Sequence, residues 1–214
     1  MLERTLSLFG LSLAGLCFQS ALAASPVALH SHLAQSAPQL DPLVLGHALD
    51  AFQCATQQGK EAADRLAVID FSLPSSEKRL WIFDLKKRSL LLNDFVAHGA
   101  KSGDNLASNF SNINGSHQSS IGLFRSAESY SGKHGYSLRM DGLEPGFNDR
   151  ARERAIVIHG ADYVNPAWIP RQGRIGRSQG CPAVRPEISK TVVDALKGGQ
   201  LVFTWYPDPK WLQT

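Results

Sequence analysis

The sequence predicts a mainly β, α+β domain: a curved sheet or sandwich with one helix near each end. Three observations lead there. Short runs of β-branched and aromatic residues, such as Leu80-Trp81-Ile82-Phe83 and Ala155-Ile156-Val157-Ile158, are separated by clusters of Pro, Gly, Ser and Asn. Helical punctuation occurs around two segments, one after Asp41-Pro42 and one between Pro186 and Gly198-Gly199. No internal repeat is visible in the 214 residues, which suits one domain.

The elements follow in order. Residues 1–23 read as an export signal: Arg4 near the start, an apolar run over 6–18, and Ala21-Leu22-Ala23 for cleavage after Ala23. Bulky Leu16 before Cys17 argues against a lipoprotein signal. Residues 24–40, rich in Ala, Ser, Pro and Gln, are expected to be a flexible lead-in, and 41–214 the folded domain. Asp41 caps a helix, Pro42 suits its first turn, Leu45, Leu49 and Phe52 mark its apolar face, and Gly59 stops it. Strands are expected at 67–73 and 78–84 around Pro74-Ser75-Ser76, with 89–98 as an antiparallel neighbour. Residues 99–120 form a long loop of Gly, Ser and Asn, a length that in a compact domain is functional or disordered. A strand at 121–124, loop-rich chain over 126–150 with short strand content near 136–140, and a strand at 155–158 come next. An Arg-rich loop then leads to Gly180-Cys181-Pro182, a helix at 187–197 and a last strand at 200–206.

Composition excludes several classes. The formal charge of +3, without a long basic stripe, does not suit nucleic acid. No stretch after the signal approaches about 18 consecutive apolar residues, so no stable membrane anchor is expected. Neither Cys-x-x-Cys nor His-x-x-x-His spacing occurs, so no metal site is expected. A monomer is expected.

Two cysteines remain after the signal. Cys54 lies in a helical pattern among apolar residues and reads as a buried small hydrophobe. Cys181 follows a glycine in a loop beside arginines, where a thiol is accessible and its own N–H can face a carbonyl. A cysteine nucleophile needs a base or positive charge nearby. His159-Gly160 ends a buried strand upstream and places an imidazole at the sheet rim. His159 is expected to depress the Cys181 thiol. Two alternatives stay open on these grounds: His98-Gly99 also ends an apolar run and competes as base, and Cys54 and Cys181 can form a disulfide.

Strand-His159-Gly160, a loop, then Ser178-Gln179-Gly180-Cys181 resembles the signature of the L,D-transpeptidase catalytic domain, the YkuD-like fold. Residues 115–122, Gly132-Lys133-His134-Gly135-Tyr136 and His159-Gly160-Ala161-Asp162-Tyr163 resemble a divergent murein L,D-transpeptidase branch, with a likeness over about residues 45–207. The resemblance implies Cys181 as nucleophile, His159 as base and the Gly160 carbonyl as support for the ring's other nitrogen. It also implies an oxyanion hole from the N–H groups of Gly180 and Cys181. Two positions depart from the commoner pattern: Gln179 stands where His is usual, and Ala183 where Arg is frequent, with Arg185 two residues on. Ser178, Gln179, Arg185, His117, Ser119 and His134 are the expected substrate-binding residues, with Arg177 a further carboxylate partner. Tyr163, Trp168 and Ile169 are expected to shield the acyl-enzyme. The implied activity is peptidoglycan remodelling through a Cys thioester on tetrapeptide stems, without a cofactor, in the periplasm or cell envelope. An L,D-carboxypeptidase or hydrolase on the same residues, and a non-catalytic wall-binding β domain, are the alternatives.

Overall fold

Strands that are apolar on both sides need cover on both faces, and this chain supplies it from its two ends. The computed structural model describes residues 26–57 and 63–213. The expected export signal and Gly59 lie outside the described residues. In chain order the elements are α1 (Pro26–Ser36), α2 (Pro42–Gln57), β1 (Arg65–Asp70), β2 (Leu80–Asp84), β3 (Ser89–Asp94), β4 (Val96–Ala97), β5 (Gly122–Gly132) and β6 (Gly135–Gly142). β7 (Val157–Gly160), α3 (Ile169–Gln172), β8 (Ala183–Val184), α4 (Pro186–Leu196) and β9 (Leu201–Trp205) complete the order. The strands form one nine-stranded sheet in the order β3-β2-β1-β9-β5-β6-β7-β8-β4. The mainly β expectation therefore holds.

Alternate residues of each strand enter different layers, as the pleat requires. Ala67, Ile69, Phe124, Leu138, Ile158 and Val202 pack with Val192, Val193 and Leu196 of α4. Leu66, Val68, Trp81, Phe83, Leu123 and Phe203 pack instead with Leu33 of α1 and Leu45 and Ala48 of α2. α2 starts as its sequence suggests, with Asp41 Oδ1 accepting from the Leu43 N–H at 2.8 Å.

Three expectations are corrected. Within the expected lead-in, Pro26–Ser36 is a helix, because Leu33, Ala37 and Leu40 are buried against the sheet. Its weak amphipathic pattern hides a helix made by tertiary burial rather than by propensity. The chain over 126–150 is not mainly loop: β5 and β6 form a long hairpin closed by the two residues Lys133-His134. Cys54 is exposed, not buried. It lies nine positions after buried Leu45, and at about 100° per residue that is the opposite side of the helix.

Strand β8 lies between β7 and β4. It pairs parallel with β7, His159 opposite Ala183, and antiparallel with β4, Ala97 opposite Ala183. Both flanking strands run into a His-Gly step, and β8 begins two residues after Cys181. This topology brings the far-separated segments 96–99, 157–160 and 178–184 to one rim.

Candidate active site

The parallel register puts Cys181 level with Val157, two residues below the His159–Ala183 pair. Cys181 and His159 both line a cavity of about 460 Å³. Gly180 has φ 122°, a value that favours glycine, and a Cβ there would meet the Gln118 carbonyl oxygen at 2.9 Å. Ser178 builds the turn: its hydroxyl donates to the Cys181 carbonyl at 2.6 Å and accepts from the Gly180 N–H at 3.1 Å. Ser119 braces it from beneath, donating to the Gly180 carbonyl at 3.1 Å and accepting from the Gly99 N–H at 3.0 Å.

His159 is buried, and its Nδ1 lies 2.9 Å from the Gly160 carbonyl oxygen. A carbonyl only accepts, so Nδ1 carries the proton and Nε2 keeps a lone pair. Burial, more than the nearby His134 and Lys133, holds the imidazole below its ordinary value, so the ring is neutral at neutral pH. His134, exposed at the hairpin tip, stacks on it with centroids 4.4 Å apart. A Cβ on Gly160 would meet Ser189 Cβ at 2.9 Å, so only glycine lets α4 approach this closely behind the ring.

The thiol is half-buried, and its Sγ donates to the Ala155 carbonyl at 3.7 Å. Burial raises its pKa; the Val157 N–H and the cations Arg154 and Lys133 oppose this only in part. The expected depression by His159 is not what the geometry produces. Both shifts favour the uncharged forms, thiol for Cys181 and neutral imidazole for His159. Cys181 is a free thiol, so it forms no bridge to Cys54.

His98 does not face this cavity. It is buried, its Nδ1 accepting from Arg79 Nη2 at 2.7 Å and its Nε2 lying 3.4 Å from the Gly103 carbonyl oxygen. Burial and then the Arg79 charge pull its pKa down to about 4. Its backbone nevertheless holds the Gly180-Cys181 loop, since the His98 carbonyl accepts from the Ser178 N–H at 2.9 Å.

The expected binding residues divide. Ser178, Gln179, His117, His134 and Arg177 line the cavity. Ser119 is buried beneath the loop, outside the cavity. Arg185 points elsewhere: its Nε and Nη2 meet both carboxylate oxygens of buried Asp94 at 2.8 and 2.6 Å. The Gly180 N–H is taken by Ser178, so of the two expected oxyanion donors the Cys181 N–H is the available one. Of the expected shielding residues Tyr163 reaches the cavity, while Trp168 lies at a separate surface hollow with Arg171 and Gln172. Sequence reasoning missed Arg154, Lys133 and Tyr130, which also line the cavity. Lys133 belongs to the Gly132–Tyr136 motif, but only the turn of the β5–β6 hairpin brings it to the cavity. Arg154 belongs to the charged stretch Arg150–Arg154, where nothing local separates it from its solvated neighbours.

Nothing among curated proteins matches the chain. Solved structures similar to it include an L,D-transpeptidase from Mycobacterium smegmatis, at 13% identity and TM-score 0.42, covering 68% of this chain and 60% of that one. The helical cell shape determining protein Pgp2 from Campylobacter jejuni is similar at 14% identity and TM-score 0.42, with 65% and 46% covered. An L,D-transpeptidase from Stackebrandtia nassauensis is similar at 13% identity and TM-score 0.41, with 86% and 92% covered. The chain thus spans about 60% of the Mycobacterium smegmatis protein. A family model described as the L,D-transpeptidase catalytic domain, YkuD_2, matches residues 36–205, and the chain belongs to that family.

Proposed function

We propose that this domain remodels peptidoglycan by acyl transfer through a thioester on Cys181, with tetrapeptide stems as donors. One observation carries the reading: a thiol and a neutral imidazole line the same cavity, and among the described residues Nε2 has no partner and the charged lining residues are Lys133, Arg154 and Arg177 without any Asp or Glu. Such a lining suits a donor bearing free carboxylates. The thiol passes its proton to His159 Nε2 and sulfur attacks the carbonyl carbon between the L- and D-centres. The oxyanion forms at the Cys181 N–H. Collapse expels D-alanine, whose amine takes the proton from the imidazolium, and a thioester remains. An acceptor amine then gives its proton to Nε2 and attacks the thioester, which restores the thiol. No cofactor enters this cycle.

Tyr163 covers part of the cavity, which favours an amine over bulk water at the thioester. The chain acts after export, with residues 1–23 as signal, in the periplasm or cell envelope, as a monomer. Purified tetrapeptide muropeptide incubated with and without a free D-amino acid, then analysed by mass, tests this. Exchange of the terminal D-alanine or a cross-linked dimer is expected. Tripeptide alone under both conditions means a carboxypeptidase, and unchanged tetrapeptide overturns the reading.

A further inference from the structure

Arg154 and Ala155 form a corner just before β7, where the expected strand at 155–158 begins only at Val157. Ala155 has φ 54°, a left-handed conformation that costs an alanine on the order of 1 kcal/mol or more. This conformation accompanies contacts in two directions. The Ala155 carbonyl receives the Cys181 thiol. The Arg154 guanidinium reaches back over segment 111–120, where Nη1 donates to the Ser111 carbonyl and to Ser120 Oγ, the latter at 2.5 Å. Its Nη2 donates to Ser116 Oγ at 3.2 Å and to the Gln118 carbonyl at 2.6 Å. The same Nη2 lies 3.5 Å from where a Cβ on Gly180 would stand. The guanidinium therefore packs directly on the Gly180-Cys181 turn while bonding to four acceptors in segment 111–120.

We propose that Arg154 is the positioning residue of the nucleophile: its fixed charge beside the Gly180-Cys181 turn stabilises the thiolate when the proton leaves, and its fork fixes segment 111–120 as one wall of the cavity. The inference deepens the cysteine mechanism proposed above. In the resting site His159 is neutral, so the imidazole offers the thiolate no countercharge until it has taken the proton. An arginine is charged throughout. Transfer from Sγ to Nε2 creates one anion and one cation, and Arg154 lowers the cost of the anion before substrate bonds form. The other titratable groups facing the cavity are Tyr130, Lys133 and His134 on the hairpin, His117, His159, Tyr163 and Arg177. Lys133 is exposed and Arg177 already serves Gly103 and Asp104, which leaves Arg154 as the cation locked against the turn.

The test is iodoacetamide alkylation of Cys181 against pH, followed by intact mass in a Cys54→Ser background. Arg154→Met should raise the alkylation midpoint by about one pH unit and slow the rate at pH 8 about tenfold. Arg154→Lys keeps the charge but not the fork. Its midpoint should stay within a few tenths of the parent, while KM for muropeptide rises because segment 111–120 loosens. If Arg154→Met does not fold, Arg154→Gln removes the charge, keeps N–H donors and must show the same upward shift. An unchanged midpoint in the neutral variants, or the same shift in Arg154→Lys, overturns the proposal. Alkylation needs no muropeptide, so inactive protein with the expected profiles would overturn the peptidoglycan reading and leave this one standing.

Discussion

Strand β8 has a His-Gly step on each side, and the two differ in almost everything but sequence. On the β4 side His98 has both ring nitrogens met by protein, one by Arg79 and the other by Gly103. On the β7 side His159 has its Nδ1 met by Gly160, while its cavity-lining edge leaves Nε2 without a protein partner among the described residues. Each has an arginine nearby. Arg79 is wholly buried and spends its donors on Leu73, Val96 and His98. Arg154 is half-buried and spends its donors on the wall of a cavity that also contains a thiol. A histidine at the end of an apolar run is thus a brace, or is placed to act as a base in the proposed mechanism, according to what meets its second nitrogen.

Exchanging the two roles by mutation gives the largest expected effects. Cys181→Ala should lower muropeptide turnover by about 10⁴-fold or more, and His159→Gln by about 10²–10⁴-fold. Urea denaturation should move by no more than about 1 kcal/mol in either. His98→Leu should do the reverse. It leaves Arg79 short of an acceptor in a dry site, which costs about 2–3 kcal/mol of stability, and any activity lost should track the unfolded fraction. Activity that survives His159→Gln and vanishes in a folded His98→Leu variant would assign the base to the wrong strand.

Acid separates the two sites again. The folded value of His98 is pulled down to about 4, below that of an unfolded histidine. Its contribution is complete above the ordinary histidine range and is lost as pH falls toward about 4, on the order of 3 kcal/mol in all. Stability measured by urea should therefore decline through that window, and less so in His98→Leu. His159 is also lowered by burial, so the neutral base persists below the ordinary histidine range and the acid limb of kcat/KM should lie there. The thiol is raised, so the midpoint of alkylation without substrate should lie above the ordinary thiol range. Rapid alkylation near pH 6 would instead mean a standing thiolate–imidazolium pair.

The sequence made one side of this comparison legible and hid the other. β7 and the Gly180-Cys181 turn are readable because a β-branched run and a Gly-Cys turn are local signals, whereas the two-residue strand β8 is too short to leave one. The hairpin β5–β6 was half read. Its outer part is Ser, Glu, Tyr and Arg, held by the cross-strand pair of Arg139 with Glu128 at 3.0 Å and, from the chain after β6, by Arg152 with Asp141 at 2.6 Å, which looks like loop composition in one dimension. Arg154 was invisible for a related reason. Its four acceptors lie 34 to 43 positions upstream, and only the fold brings them near. Cys54 was misplaced by helical phase.

The smallest expected effect sharpens the division between brace and site with two arginines in place of two histidines. Sequence reasoning offered Arg177 and Arg185 alike as carboxylate partners. The structure gives Arg185 a bidentate contact with Asp94, which also accepts from the Phe95 N–H at 2.7 Å just where the chain leaves β3 for β4. This ion pair ties the start of α4 to that bend. Arg185→Gln should leave KM for muropeptide within about twofold and cost about 2 kcal/mol, the usual value of hydrogen bonds to a charged group with little exposure. Arg177 lines the cavity and anchors to Gly103 and the exposed Asp104, a surface contact of little stabilising value. Arg177→Gln should change stability by no more than about 1 kcal/mol and raise KM several-fold. Steady-state kinetics beside urea curves decides the matter: a large KM effect from Arg185→Gln would place the donor's carboxylates against α4, and the cation-lined cavity beside Cys181 would then no longer be where the stem binds.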